Sequence, residues 1–182
     1  MCIRDSDSPI SKGSLVYQNP SLWWSALIKN LTFLKTKIEL NKIERLSIDG
    51  TSGTVLITDH LGKPLDNALM YNDASAVKES KLVESISDNH PIVSTSTNAL
   101  VRALSLINKL KKEKYRILHQ ADWIACKLIN DYTYSDENNA LKLGYDCVER
   151  SWPKWFDQLP IEMNSLPNIK IPGQSIGELR KT

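Results

Sequence analysis

Residues 47–73 read SIDGTSGTVLITDHLGKPLDNALMYND, and this stretch decides the fold class. Thr54 to Thr58 is mostly β-branched and is expected as a strand. His60-Leu61-Gly62-Lys63 is expected to turn it into a further short strand, and Leu46 to Ile48 is expected as a short strand before it. Between these lies a small-residue turn, Asp49-Gly50-Thr51-Ser52-Gly53. Its two glycines admit backbone angles and close approaches that side chains forbid. Its two hydroxyls and one carboxylate put main-chain N–H groups, hydroxyls and a charge within reach of one polar ligand.

Outward from this segment the pattern changes to helical. Asn19-Pro20 supplies an N-cap and a first-turn proline. Trp23, Trp24, Leu27, Ile28, Leu31, Leu34 and Ile38 then fall on one stripe, expected to pack as core. Downstream, helices are expected over residues 74–86, 99–110 and 120–129, with the polar run Ser94 to Thr97 ahead of the second. Pro153, Pro160, Pro167 and Pro172 divide the last thirty residues into short pieces. Strands alternating with helices indicate an α/β fold.

Composition narrows the function classes. At 182 residues the chain suits one domain. A net charge of +2 implies no field-driven partner, and no apolar run approaches the roughly 20 residues of a membrane span. The Lys109 to Lys114 run (KLKKEK) has no interleaved aromatics and reads as a solvated helix end rather than a nucleic-acid patch. Cys126 and Cys147 have no CxxC spacing and read as reduced structural thiols; Cys2 is the third cysteine. His60, His90 and His119 lack metal-ligand spacing, and no metal site is expected from these residues. There is no GxxxxGK[ST] and no protein-kinase signature set.

Three further blocks accompany the opening segment: His119-Gln120-Ala121-Asp122-Trp123, Ser135 to Asp146 (SDENNALKLGYD), and Pro172-Gly173-Gln174-Ser175-Ile176-Gly177. In order and spacing these resemble the QADW, SDYNNALKLGYD and PGxxIG segments of the FGGY carbohydrate kinases. Within that family they are most similar to the D-ribulokinase branch of plants and cyanobacteria. The resemblance runs from about Tyr17 to the end. It implies an actin-like (ribonuclease H-like) α/β fold, and an incomplete first domain of an enzyme with two such domains.

The resemblance also implies chemistry. ATP and Mg²⁺ are the expected cofactors, with D-ribulose phosphorylated to D-ribulose 5-phosphate by the full-length enzyme. D-xylulose or another ketose or polyol is the alternative acceptor, and a non-catalytic actin-like sugar-binding domain is the alternative of another class. The Asp49 to Gly53 turn admits two readings, the family's first phosphate loop (Asp-x-Gly-Thr-Ser) or its sugar-contact turn. The second is preferred, because Gly50 follows Asp49 directly and Met70-Tyr71-Asn72-Asp73 follows at the family spacing. It places Ser52, Thr51 and Gly50 against the sugar. Thr95 matches a substrate-contacting aromatic position of the glycerol kinases; N-capping by the Ser94 to Thr97 run is the competing reading. The family signature has a Lys shortly after this run, where this sequence has Leu100, with Arg102 two residues on.

No catalytic residue is expected within the chain, since the family's catalytic Asp belongs to a later segment. Asp49 is expected to bond the turn's own amides. Asp122 is expected as a helix-start residue favoured by the dipole, and Ser135 to Tyr145 as a largely structural polar loop. Residues 1–6 (MCIRDS) match the translation of a transposon-end sequencing adapter, which leaves 7–182 as a partial first domain expected to be inactive alone. The location implied is cytoplasmic, or plastid if the source is a plant.

Overall fold

The computed structural model describes residues 6–87, 93, 95–110 and 114–180. His90, Ser94, and residues 111–113 of the basic run lie outside the described residues, as does Cys2.

The main sheet has five strands in the order β1-β2-β4-β3-β5, every pair antiparallel: β1 (Ile10–Lys12), β2 (Leu15–Gln18), β3 (Val55–Thr58), β4 (Ala68–Leu69) and β5 (Arg116–His119). The helices are α1 (Pro20–Lys35), α2 (Val77–Ile86), α3 (Ala99–Ile107), α4 (Gln120–Ile129) and α5 (Glu137–Ala140). A second, parallel pair joins β6 (Tyr134–Asp136) to β7 (Asn168–Lys170).

β3 is buried along its whole length because both faces of the sheet are covered. A strand turns alternate side chains to opposite faces. Val55 and Ile57 therefore enter one core with Val83 of α2 and Leu100, Val101 and Leu104 of α3. Leu56 enters a second core with Trp23 of α1 and Trp123 and Cys126 of α4. Trp23 and Trp123 meet edge-on with ring centroids 6.1 Å apart. Each indole N–H is satisfied: Trp23 donates to Gln18 Oε1 at 2.5 Å and Trp123 to the Gly62 carbonyl at 2.8 Å.

Several expectations change. Leu46 to Ile48 forms no strand; it is irregular, and Leu46 is exposed. The α1 stripe is not core as a whole. Trp23 is buried, whereas Trp24, Leu27, Leu31 and Leu34 are half-buried and Ile28 and Ile38 exposed. α1 is packed chiefly through its amino-terminal end, where the Trp23–Trp123 pair lies. α2 begins at Val77 rather than residue 74, and α3 ends at Ile107, continued by turns. Asn19 does cap α1, accepting from the Ser21 N–H, and α4 has the expected bounds. Among the described residues, no helix is long and apolar enough to cross a membrane.

Candidate functional site

β3 begins where β4 and β5 end, for Val55 is paired with both Leu69 and His119. At this end of the sheet four segments enclose a cleft of about 390 Å³. Its lining comprises Ser52 and Gly53 of the turn before β3, Tyr71 after β4, Thr95, Thr97, Asn98 and Ala99 leading into α3, and Lys142 after α5, with Arg102 beneath. Ser52 and Thr95, expected as sugar contacts from separate parts of the sequence, thus face one cavity. Gly50 and Thr51 do not line it. Gly50 instead lies against the start of α4, where an added Cβ would sit 3.3 Å from the Ala121 Cβ. Gly53 has φ +86, a conformation open to glycine at little cost.

The cap of α3 is Asn98, whose side chain accepts from the Leu100 N–H at 2.7 Å. Capping therefore does not occupy the Thr95 and Thr97 hydroxyls, which lie 3.5 Å from each other at the exposed edge of the cleft. Asp49 is exposed, and its carboxylate accepts from the Gly50 N–H at 2.8 Å, within its own turn.

Arg102 holds the cleft together. The residue is 1% exposed, and among the described residues its guanidinium donates to main-chain carbonyls alone. Nη1 reaches Tyr71 at 3.0 Å, Asp73 at 3.1 Å and Thr97; Nη2 reaches Gly53 at 2.5 Å. One planar fork thus fixes the three loops that carry Ser52, Tyr71 and Thr95. Burial pulls the Arg102 pKa down to about 10, and neighbouring Asp73 opposes that fall, so the group stays charged at neutral pH. The Asp73 carboxylate accepts from the Val16 N–H at 2.7 Å and from the Ser75 N–H and hydroxyl.

Asp122 serves a different assembly. It is buried in the first turn of α4 and accepts from the His119 N–H at 3.2 Å, from the Ser135 hydroxyl at 2.8 Å and from Asn139 Nδ2 at 2.8 Å. Its carboxylate also lies 3.3 Å from His119 Nδ1. This network ties Ser135 and Asn139 to α4. His60 is exposed in its turn.

The lining offers hydroxyls, an amide and an ammonium, a set suited to a polyol. No described carboxylate lines the cleft. Among the described residues no group of three His, Cys, Asp or Glu is placed to hold a metal ion, so no step through Mg²⁺ is assigned to them.

Arg102 and Lys142 were not singled out as site residues from sequence. Arg102 carried a signal nonetheless: it is the one charge in ALVRALSLI, and a charge within an apolar helix must find polar partners if buried. Lys142 gave none, standing in a block dominated by turn-forming Asp and Asn.

No protein-family model matches the chain. A xylulose kinase of Staphylococcus xylosus is 21% identical, with 88% of this chain and 35% of that protein covered. Among solved structures, a Plasmodium falciparum glycerol kinase with ADP is similar at TM-score 0.80 and 20% identity, covering 98% of this chain and 39% of that one. A gluconate kinase of Lactobacillus acidophilus is similar at TM-score 0.83 and 18% identity, covering 97% and 38%. The chain therefore has the mixed α/β fold of the FGGY carbohydrate kinases, and it spans little more than a third of the length of the relatives it matches.

Proposed function

We propose that this chain is the sugar-side portion of a longer ATP-dependent carbohydrate kinase, and that the acceptor is D-ribulose. The observation that carries the reading is the meeting of Ser52 and Thr95, 43 positions apart by their numbers, in one hydroxyl-lined cleft held by Arg102. Ser52, with Thr51 and Gly50 behind it in the same turn, is assigned to the sugar. The hydroxyls donate to and accept from a polyol without imposing charge. Arg102 positions the loops, and Lys142 stands on the wall.

Phosphoryl transfer needs a base and a charge-neutralising metal. In this proposal the catalytic Asp, most ATP contacts and the Mg²⁺ site belong to sequence beyond residues 7–182, and residues 1–6 are foreign to the natural protein. When bound, ATP with Mg²⁺ supplies the phosphoryl group and spreads its charge; the residues here align the acceptor hydroxyl. The 182-residue chain alone is accordingly proposed not to turn over, and the full protein to act in the cytoplasm or, in a plant, the plastid. D-xylulose is the second acceptor, favoured by the similarity to the Staphylococcus xylosus xylulose kinase.

The test begins with genomic sequence on both sides of codons 7 and 182, followed by kinetics of the complete protein. The expected result is a reading frame that continues into a second domain, and ATP-dependent phosphorylation of D-ribulose. Faster turnover of D-xylulose would move the assignment to the second acceptor. Absence of phosphorylation across a ketose and polyol panel would overturn the kinase reading.

A further inference from the structure

The apolar face of α1 is buried at its amino-terminal end, at Pro20 and Trp23. Further along, Leu27, Leu31 and Leu34 are half-buried and Ile28 is exposed, although all four fall on one helical stripe. The other face, with Ser25, Lys29, Thr32 and Lys35, is polar and exposed. The helix is thus divided like one that packs against a layer, with little of that layer over its second half. The segment after it behaves likewise. From Thr36 to Ser47 every residue but Leu40 is exposed, and Ile38, Ile43 and Leu46 are between 41% and 47% exposed. An apolar stripe that runs on into three open aliphatic side chains marks a surface with an occupant.

The beginning of the chain lies beside this surface. The Asp7 carbonyl accepts from Gln18 Nε2, and Gln18 Oε1 accepts from the Trp23 indole. Asp7 is therefore held at the junction of β2 and α1. The other end is held on α4, where the Arg180 N–H donates to the Leu128 carbonyl at 3.1 Å. α1 itself leads from β2 to the strand-like Leu46 to Ile48, and a helix that links two strands covers the sheet they belong to. Here no described strand pairs with Leu46 to Ile48.

We propose that the open face of α1 and Leu46 to Ile48 seat the stretch of the same polypeptide that precedes Asp7, docked as a β-strand along Leu46 to Ile48. Such a strand turns alternate side chains onto Leu27, Leu31 and Leu34 and satisfies the main chain of Leu46 to Ile48. That a preceding stretch exists rests on the longer-kinase reading above, in which the relatives are more than twice the length of this chain. The uncovered face rests on the fold alone.

The test uses the complete protein, with the photo-cross-linker p-benzoylphenylalanine in place of Ile28 or Ile43, and in place of Lys29 as the control on the polar face. After irradiation and digestion, mass spectrometry should join the first two positions to peptides that precede Asp7 in the same chain, and Lys29 to few or none of them. In the unaltered protein, the amides of Leu46 to Ile48 should exchange about a hundredfold or more slowly than in an unstructured peptide. Cross-links to sequence after Thr182, or between two copies, would give the face to another occupant and overturn the proposal. So would free exchange at Leu46 to Ile48, or a genomic start codon that leaves nothing before Asp7. Should a substituted protein fail to fold, an amine-anchored diazirine cross-linker on Lys35 and Lys42 of the unaltered protein decides in the same way. Failure of the kinase reading shows separately, as no sugar phosphorylated by ATP, and leaves the cross-link map standing.

Discussion

Arg102 donates to the carbonyl of Gly53 at 2.5 Å, across 49 positions of sequence. The bond joins the first turn of α3 to the turn before β3, so the two walls carrying Thr95 and Ser52 cannot move independently. Both partners are selected by it: Gly53 has positive φ, and an added Cβ there would stand 3.1 Å from Arg102 Nη2.

Replacing Arg102 should be costly in two ways. Arg102→Met strands four main-chain carbonyls, two of them buried, and Arg102→Lys cannot reach them all with one compact ammonium. Both should destabilise by about 2–4 kcal/mol, Met more than Lys. In the complete enzyme the sugar KM should rise more than kcat falls. Urea unfolding with steady-state kinetics checks this; a variant as stable as the parent would contradict the clamp.

The hydroxyls of Ser52 and Thr95 should act on binding alone. Ser52→Ala and Thr95→Ala are expected to raise the sugar KM by about three- to thirtyfold each, with unfolding midpoints unchanged. Unchanged kinetics in Ser52→Ala would make its turn purely structural.

Gly62 should tolerate no side chain. It has φ +77, and a Cβ there would fall 2.0 Å from the Tyr132 ring. Gly62→Ala is expected to cost about 2–4 kcal/mol, read as a lowered melting temperature. Combining it with Tyr132→Ala should recover part of the clash but none of the backbone strain. A loss under about 0.5 kcal/mol in the single variant would refute the close approach.

Stability should decline in alkali because of Cys126. Burial, with smaller contributions from Asp122 and Asp131, pushes this thiol up to about 12 from its ordinary 9.0. Below pH 9 it is neutral folded and unfolded. As pH rises toward 12 the unfolded chain releases a proton that the folded chain keeps, so stability falls by at most about 1.4 kcal/mol per pH unit. The raised pKa values of Tyr132, Tyr145 and Cys147, each led by burial, act in the same direction. Cys126→Ala should flatten the slope between pH 8 and pH 10 in chemical denaturation; an unaltered slope would exclude the thiol as its source.

Local signals carried much of the fold. The Asn19 cap, the β-branched run of β3 and the bounds of α4 were all legible, because each is decided by residues within a few positions. What failed depends on distant partners. Leu46 to Ile48 has strand-like residues, but no described strand pairs with it. Arg116 to His119 passed unread as a strand because its partner, β3, lies about sixty residues upstream. The α1 stripe has helical spacing, yet spacing cannot say how much of a helix is covered. In the cleft, Ser52 and Thr95 were legible through the family resemblance, and of the residues singled out with them Thr51 and Gly50 do not line it. Lys142 was not legible, since nothing local to its block marks it as facing a cleft built from distant segments.

Among the described residues the Arg102 clamp grips only main-chain oxygens, and this bears on how such a site can diversify. A carbonyl is the same acceptor whatever side chain its residue carries. Ser52, Tyr71, Thr95 and Thr97 can therefore be exchanged for residues suited to another ligand while the loops that present them keep their places. Selection for a new specificity would act on the cleft's surface with its scaffold held constant, and few of those steps would carry a folding penalty.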